Sequence, residues 1–362
     1  MTVCSKIKIM PRWIKIALKI LSIVIGSVLI IYIAIAAYVN LNKDKLRQSL
    51  TTELNKNLNG SLTIGGVDPA FLSGFPGISL TLTNVEMKDK QWAVHKHTLL
   101  NAKKFNVALN VLGLLRGTIE IKKIGISQAS IYLYTDSNGY TNTSIFKKNN
   151  KPEQKNEAGS TPELRRFALH DVDFILDNQK GHKLFHLQIN DLTGKVDYPS
   201  EGWEAKLNLN TQVKSLAFNT KRGSFIENKL LDGPFSLRYN EQSETITVKE
   251  NPLRIGEEDF KVSAKFNLAP DPILFSIHIQ AEKLRWKNAY ALLTPNITRR
   301  LKMFDLEQPI QVKCDIAGNM GPGGNPHISV MATVRENVLK TPKGEVENCN
   351  FDGYYTNNLF RD

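Results

Sequence analysis

The segment Val262–Ile279 reads VSAKFNLAPDPILFSIHI and consists of two runs of alternating residues separated by a turn. Apolar side chains occupy every second position of residues 262–268 and again of residues 273–279. Successive side chains of a β-strand point to opposite faces, so this alternation predicts two strands that each have one apolar and one polar face. The proline-rich residues 269–272 predict the turn that joins them.

The same alternation recurs through the chain, which predicts a protein that is mainly β with few helices. Further runs lie at residues 78–82, 105–111, 119–121, 131–133, 185–189, 205–209, 310–316 and 328–334. Strands with one apolar face are typical of antiparallel sheets that have one side in water, rather than of parallel sheets covered by helices on both sides. We therefore expect an elongated antiparallel sheet.

A membrane anchor is predicted before the first strand. Residues Ile20–Val39 read ILSIVIGSVLIIYIAIAAYV and contain no charge, and twenty helical residues span a hydrocarbon core of about 30 Å. Five cations and no acid precede this run, so residues 1–19 are expected in the cytoplasm and the rest of the chain across the membrane. The alternative is a cleaved signal peptide with the A-x-A site Ala34–Ala36, although the apolar run exceeds the usual length of about 7–15 residues.

Two helical segments interrupt the β pattern. Asn42 can cap a helix in which leucine recurs every fourth residue up to Leu58, and this helix is expected to cover one end of the sheet. A helical insertion is expected near residues 286–305, where Pro295 can start a short amphipathic helix. Two roles are open for that helix, namely a lid over the sheet and an attachment to a lipid surface.

A linker is predicted at Lys147–Glu163, which reads KKNNKPEQKNEAGSTPE and lacks any large apolar residue. Such a segment cannot bury enough apolar surface to offset its ordering entropy. The linker separates residues 40–146 from a β-sheet region at 164–362.

The sequence contains no recognisable catalytic constellation, cofactor motif or metal motif. The motifs G-x-S-x-G, G-x-x-x-x-G-K-[ST], H-E-x-x-H and C-x-x-C are absent, and the pairs His95/His97 and His182/His186 have no obvious third ligand. The net charge of +12 includes the five cations before the anchor, and the remaining charges are interspersed with acids. We therefore expect neither an enzyme, nor a cofactor, nor a nucleic-acid partner. Cys314 and Cys349 could pair in an oxidising compartment, and the alternative is that Cys314 is a small buried apolar residue.

Residues Ala108–Phe146 carry a resemblance to a known family. They read ALNVLGLLRGTIEIKKIGISQASIYLYTDSNGYTNTSIF, with a strand, a Leu-Leu-Arg-Gly turn, two further strands, the segment Asp136–Gly139 and a closing Asn142, Ser144 and Phe146. This arrangement resembles the N-terminal region of AsmA-like proteins, of the AsmA, TamB and chorein-like group. The single N-terminal span and the turn at Gly74–Gly77 before the strand at residues 78–82 are similar to the same family in the same order.

The resemblance implies a bacterial inner-membrane protein whose bulk faces the periplasm. It also implies a long curved sheet whose apolar groove holds phospholipid acyl chains during transport between membranes, in support of the outer membrane and the envelope. Burying one methylene contributes about 0.8 kcal/mol, so an acyl chain requires a continuous apolar track. The candidate groove residues are Val262, Phe266, Leu268, Ile273, Phe275, Ile277, Ile279, Ile310, Val312 and Ile316.

Two other functions compete with lipid transport. The apolar faces could pack as a closed β-sandwich in a membrane-tethered scaffold that binds other envelope proteins, or the chain could be an exported enzyme, for which no site is evident. The resemblance also leaves open that the chain is a fragment, because similar proteins often continue well beyond its 362 residues.

Overall fold

The fold is organised around one β-sheet of fifteen strands. This computed structural model describes residues 37, 40–56, 58–70, 78–109, 121–146, 164–221, 223–224, 226–292, 295–321 and 326–357. The strands are β1 (Gly60–Ala70), β2 (Ile78–Asp89), β3 (Leu100–Leu109), β4 (Ile121–Thr135), β5 (Arg166–Asn178), β6 (Lys183–Asp197), β7 (Gly202–Ala217), β8 (Lys229–Asn240), β9 (Thr245–Ile255), β10 (Glu258–Asn267), β11 (Leu274–Leu284), β12 (Asp305–Leu306), β13 (Ile310–Asn319), β14 (His327–Thr341) and β15 (Gly344–Thr356). The helices are α1 (Lys43–Lys56), α2 (Trp92–His95), α3 (Trp286–Tyr290) and α4 (Pro295–Leu301), and a 3-10 helix covers Asn142–Phe146.

The strands follow one another across the sheet in chain order from β1 to β11. β13 pairs with β11 on one side and with β14 on the other. β14 also pairs with the short strand β12 on the same side as β13, and with β15 on its opposite side. Within the described residues β1 does not pair with β15, so the sheet is a curved open layer. The mainly β class with few helices is confirmed, and the closed sandwich is not the arrangement that forms.

One pair of strands departs from the predicted antiparallel arrangement. β4 and β5 run parallel, with Lys123 opposite Arg166 and Thr135 opposite Asn178. A parallel pair needs a long connection that returns the chain to the same end of the sheet, and residues 136–165 provide it. The predicted linker at 147–163 belongs to this connection and lies outside the described residues, so the boundary stays a prediction. The strands on either side of it share one sheet.

The apolar face shifts by one residue along each of the first six strands. On β2, Leu82 and Val85 are both buried, although two residues, Thr83 and Asn84, lie between them. Asn84 has a positive φ of 50°. Gln128 on β4 and Asp171 on β5 have φ values of 52° and 54°. The two lie opposite each other, because the residues on either side of them are paired across β4 and β5. Irregularities of this kind bend a strand and increase its twist. Because they line up across neighbouring strands, they bend the sheet along one line.

The predicted helices form as expected outside the membrane segment. The helix after Asn42 is α1, and the insertion contains α3 and α4. The predicted membrane span at residues 20–39 lies outside the described residues apart from Ala37. Among the helices that the structure describes, none has the length and apolarity to cross a membrane.

Candidate functional site

The apolar face of the sheet forms rows of side chains that continue from strand to strand. One row crosses β1 to β7 by direct register and consists of Val67, Leu82, Phe105, Ile126, Leu169, Leu192 and Leu209. A second row crosses β7 to β14 and consists of Ala205, Leu237, Val248, Ala264, Ile277, Ile316 and Ile328. The two rows meet on β7, where residues 205 and 209 share a face. The sheet therefore offers one continuous apolar track along its length.

Two parts of the apolar face are buried, one near each end of the strand order. Near β1, Leu50 and Leu58 from α1 and its C-terminal flank pack on a cluster that includes Ile64 and Val85. Near β14, Trp286 and Leu292 from the helical insertion pack on a second cluster. The core members of that second cluster are Leu253, Ile255, Phe260, Val262, Ala281, Leu284, Leu306, Ile310 and Val334. Helices thus cover the apolar face at both ends of the sheet.

The middle of the track stays accessible. Leu169 on β5, Leu192 on β6 and Leu207 and Leu209 on β7 are only partly buried and belong to neither cluster. The outward neighbours Thr193 and Asn208 are polar and exposed. A partly exposed row of leucines opposite a polar face is a surface that can bind an apolar ligand.

A glycine makes room for an aromatic ring in this middle section. A Cβ atom on Gly194 would lie 2.4 Å from Cε1 and Cζ of Phe167 and 2.8 Å from a methyl carbon of Leu207. Real Cβ atoms do not approach other atoms so closely, so any other residue at this position would displace the ring. The absence of a side chain on Gly194 therefore shapes the surface of the track.

Aromatic rings connect opposite sides of the apolar face at one end of the strands. Phe218, directly after β7, lies 5.2 Å from Phe185 and 5.6 Å from Phe275 on β11, measured between ring centroids. Phe266 on β10 stacks on Phe275 at 6.4 Å. Aromatic pairs at such distances stabilise the contact beyond their buried area. The sheet is therefore curved enough for β7 and β11 to be joined across its apolar side.

A model described as the AsmA family matches residues 10–265, which is more than half of the chain. The chain belongs to the AsmA family. The match extends well beyond the segment 108–146 that carried the sequence resemblance, through β5 to β9 and most of β10. No curated protein and no solved structure matches the chain.

The predicted groove residues of this AsmA-family chain lie on the apolar face, but several of them are covered. Val262, Phe275 and Ile310 are buried, with exposed fractions of 8%, 4% and 2%. Ile277, Ile279 and Val312 pack against the cluster beneath the insertion. The remaining predicted residues, Phe266, Leu268, Ile273 and Ile316, are partly exposed. The accessible middle section on β5 to β7 was not selected from the sequence, although the alternation at residues 185–189 and 205–209 marked two of its strands.

Two hydrogen bonds join parts of the insertion to one another, and two more attach it to Glu258 on β10. Trp286 Nε1 donates to the backbone oxygen of Phe304 at 2.8 Å, and Thr298 Oγ1 donates to that of Tyr290 at 2.8 Å. Glu258, which is 8% exposed, accepts hydrogen bonds from the side chains of Arg285 and Asn288. Trp286, Ala289 and Leu292 pack on the apolar face, so α3 and its C-terminal flank cover part of it. The two roles left open for the helix that Pro295 begins stay predictions.

A buried polar cluster joins α2 and the 3-10 helix to the sheet. Asp89, whose side chain is fully buried, lies 3.0 Å from Nε2 of His95 and accepts a hydrogen bond from the Tyr140 hydroxyl. Nδ1 of His95 accepts a hydrogen bond from the backbone N–H of His97 at 3.0 Å. Both ring nitrogens of His95 therefore make contacts within the protein, and these contacts hold α2 and the 3-10 helix against the sheet.

The aromatic residues beside this cluster have shifted pKa values. Burial, assisted by Asp177, raises the pKa of Tyr132 to about 12, and burial together with the hydrogen bond to Asp89 raises the pKa of Tyr140. The His97 ring lies 4.2 Å from that of Tyr134, and burial and the neighbouring His95 lower the pKa of His97. Tyr132, Tyr140 and His97 thus all favour their neutral forms.

The cysteines and histidines that the sequence singled out form neither a disulfide nor a metal site among the described residues. Cys314 and Cys349 are free thiols, and burial raises the pKa of Cys314 to about 11. Among the residues that the structure describes, no three metal-ligating side chains converge, and His186 instead bonds Asp173 at 2.7 Å.

Proposed function

We propose that the apolar face binds the acyl chains of membrane phospholipids and that the protein carries lipid between the membranes of the bacterial envelope. The proposal includes a non-catalytic role, an inner-membrane anchor at residues 20–39 and a periplasmic location for the sheet. Membership of the AsmA family and the openness of the sheet support it.

One observation carries the proposal, namely the partly exposed leucine row between two helix-covered ends. Leu169, Leu192 and Leu209 are in direct register on three neighbouring strands. Each methylene that leaves water along this row contributes about 0.8 kcal/mol, so even ten methylenes supply about 8 kcal/mol. That free energy is sufficient for binding and low enough for release.

A transfer experiment with matched variants tests the proposal. The full chain is assayed for movement of a fluorescent phospholipid from donor to acceptor vesicles, and Leu209→Asp is compared with Asn208→Asp. The first places a charge in the track and the second places one on the outer face. Losing contact with two methylenes costs about 1.6 kcal/mol, so Leu209→Asp should slow transfer at least about tenfold. Asn208→Asp should leave it unchanged.

The same pair of variants can also contradict the proposal. A folded Leu209→Asp protein that transfers lipid at the rate of the native chain would contradict a lipid track on this face. Folding is checked by the thermal midpoint, which should remain close to that of the native chain because Leu209 is partly exposed.

A further inference from the structure

The end of β11 and the insertion that follows it carry a dense positive charge. From residue 283 to residue 303 the sequence contains six cations and no acid, and the acids that flank it are Glu282 and Asp305. The cations are Lys283, Arg285, Lys287, Arg299, Arg300 and Lys302. Like charges at this density repel one another, so an anionic partner would stabilise the segment.

Most of these cations form no ion pair with the residues that the structure describes. Arg285 pairs with Glu257 at 3.6 Å and Glu258 at 3.1 Å. For the other five, no ion pair occurs among the described residues, and all five are exposed. The outer face of the sheet differs, because Lys261 pairs with Glu282 at 2.6 Å and Arg254 with Asp232 at 2.9 Å. What distinguishes the insertion is that no acidic residue lies between these cations in the sequence.

The insertion has one apolar and one cationic side. Trp286, Ala289 and Leu292 pack against the buried cluster of the sheet. On the surface, Met303 is 51% exposed beside Lys302, and Ala291 is also exposed. Cations combined with exposed apolar side chains are typical of a helix that lies on a membrane surface.

We propose that this cationic surface docks on a membrane that carries anionic lipid headgroups. It lies near the opposite end of the strand order from α1, so a membrane docked there contacts the far end of the sheet. An acidic polypeptide would supply the charge, but it would not account for the exposed Met303 in the cationic surface. The proposal is independent of lipid binding in the apolar track, because the cations lie on the exposed side of the insertion and not on the side that packs on the sheet.

A capture experiment with the full chain tests this docking. The chain is reconstituted into zwitterionic phosphatidylcholine vesicles, and capture of acceptor vesicles with or without phosphatidylglycerol is measured. The test variant is R299Q/R300Q/K302Q. The control variant, K206Q/K249Q/K265Q, removes the same charge from exposed positions of the sheet.

The native chain and the control variant should capture anionic acceptors and ignore neutral ones. One cation near an anionic surface changes affinity about fivefold, so the test variant should bind about 100-fold more weakly. Raised salt should weaken capture by the native chain, because it screens exposed charges. Thermal midpoints of both variants should match that of the native chain, since every substituted side chain is exposed.

Several results would overturn the proposal. Equal capture of neutral acceptors, or equal losses in both variants, would show that the insertion does not recognise the anionic surface. Release of the vesicles by soluble polyglutamate at matched charge would assign the surface to an acidic polypeptide, and release by inorganic phosphate would assign it to a soluble anion. If the test variant unfolds, salt-insensitive capture by the native chain would contradict the docking.

Discussion

The rings of Phe218 and Phe275 lie 5.6 Å apart and are nearly parallel, although β7 and β11 are four strand steps apart. Neighbouring strands lie about 4.8 Å apart, so four steps correspond to about 19 Å in a flat sheet. The contact therefore brings the residue that follows β7 close to β11 across the apolar face. It also closes one end of the strands with aromatic side chains, while the leucines of β5 to β7 remain accessible.

The first prediction concerns this aromatic contact. Phe275→Ala should lower the free energy of unfolding by about 3–4 kcal/mol, because Phe275 is 4% exposed and its removal leaves a cavity. Phe266→Ala should cost clearly less, since Phe266 is partly exposed. Chemical denaturation of both variants measures the difference. Equal losses of unfolding free energy in the two variants would show that the contact between Phe218 and Phe275 does not stabilise the curved sheet.

The second prediction concerns the glycine beneath Phe167. Gly194→Ala should destabilise the protein by about 1–3 kcal/mol, because the new Cβ would lie 2.4 Å from the ring. Gly353→Ala is the control, since its Cβ would meet its nearest neighbour at 3.9 Å. Thermal unfolding compares the two. A Gly194→Ala protein as stable as the control would show that the ring has room to move.

The third prediction concerns the attachment of α1. The Asn55 side chain donates to the backbone oxygen of Leu62 at 2.8 Å and accepts from its N–H at 2.6 Å. Asn55→Ala should therefore release the helix from the edge strand β1 at a cost of about 1–3 kcal/mol. Hydrogen exchange at the Leu62 amide should accelerate. Gln48→Ala, at an exposed position of the same helix, should leave that amide protected.

The fourth prediction concerns pH. The pKa of His97 is lowered from 6.5 by burial and by His95, so the unfolded chain takes up its proton first as pH falls. Stability should therefore decrease as pH falls below about 6.5. His97→Phe can keep a ring against Tyr132 and Tyr134, and its thermal midpoint should fall less between about pH 7.5 and 5.5.

His170 provides a control of opposite sign. Its hydrogen bond to Asp191 raises the pKa of His170, so the stability that it contributes is present at low pH and is lost as pH rises. His170→Asn should therefore make the loss of stability on acidification larger. Identical pH profiles for the native chain and both variants would contradict the two assignments.

Strand alternation predicted much of the sheet, and the strands that it missed have local causes. On β9, Val248 and Asn251 are both buried, because Lys249 and Glu250 between them both face outward. On β8, Gly233 has a φ of 156° and adjoins Pro234, where the pairing with β9 shifts register. A residue pattern of period two is lost at such points.

The candidate site was predicted only in part for a different reason. The sequence places Phe275 and Ile277 on the apolar face, and the register confirms that they share it with Ala264 and Phe266. It does not show which part of that face the insertion covers, because this depends on contacts such as that of Trp286 with the distant cluster. Phe275→Asp would therefore bury a charge whether the sheet binds lipid or serves as a scaffold. This variant does not distinguish the two functions.

Photo-crosslinking at neighbouring positions tests the lipid track most directly. A photoreactive amino acid is placed in the full chain at position 209 or 192 of the track, or at the outward positions 208 or 193. In membranes that contain labelled phospholipid, positions 209 and 192 should capture lipid, and positions 208 and 193 should not, because successive residues face opposite sides. Equal capture at all four positions, or capture at none of them, would contradict binding of lipid on the apolar face.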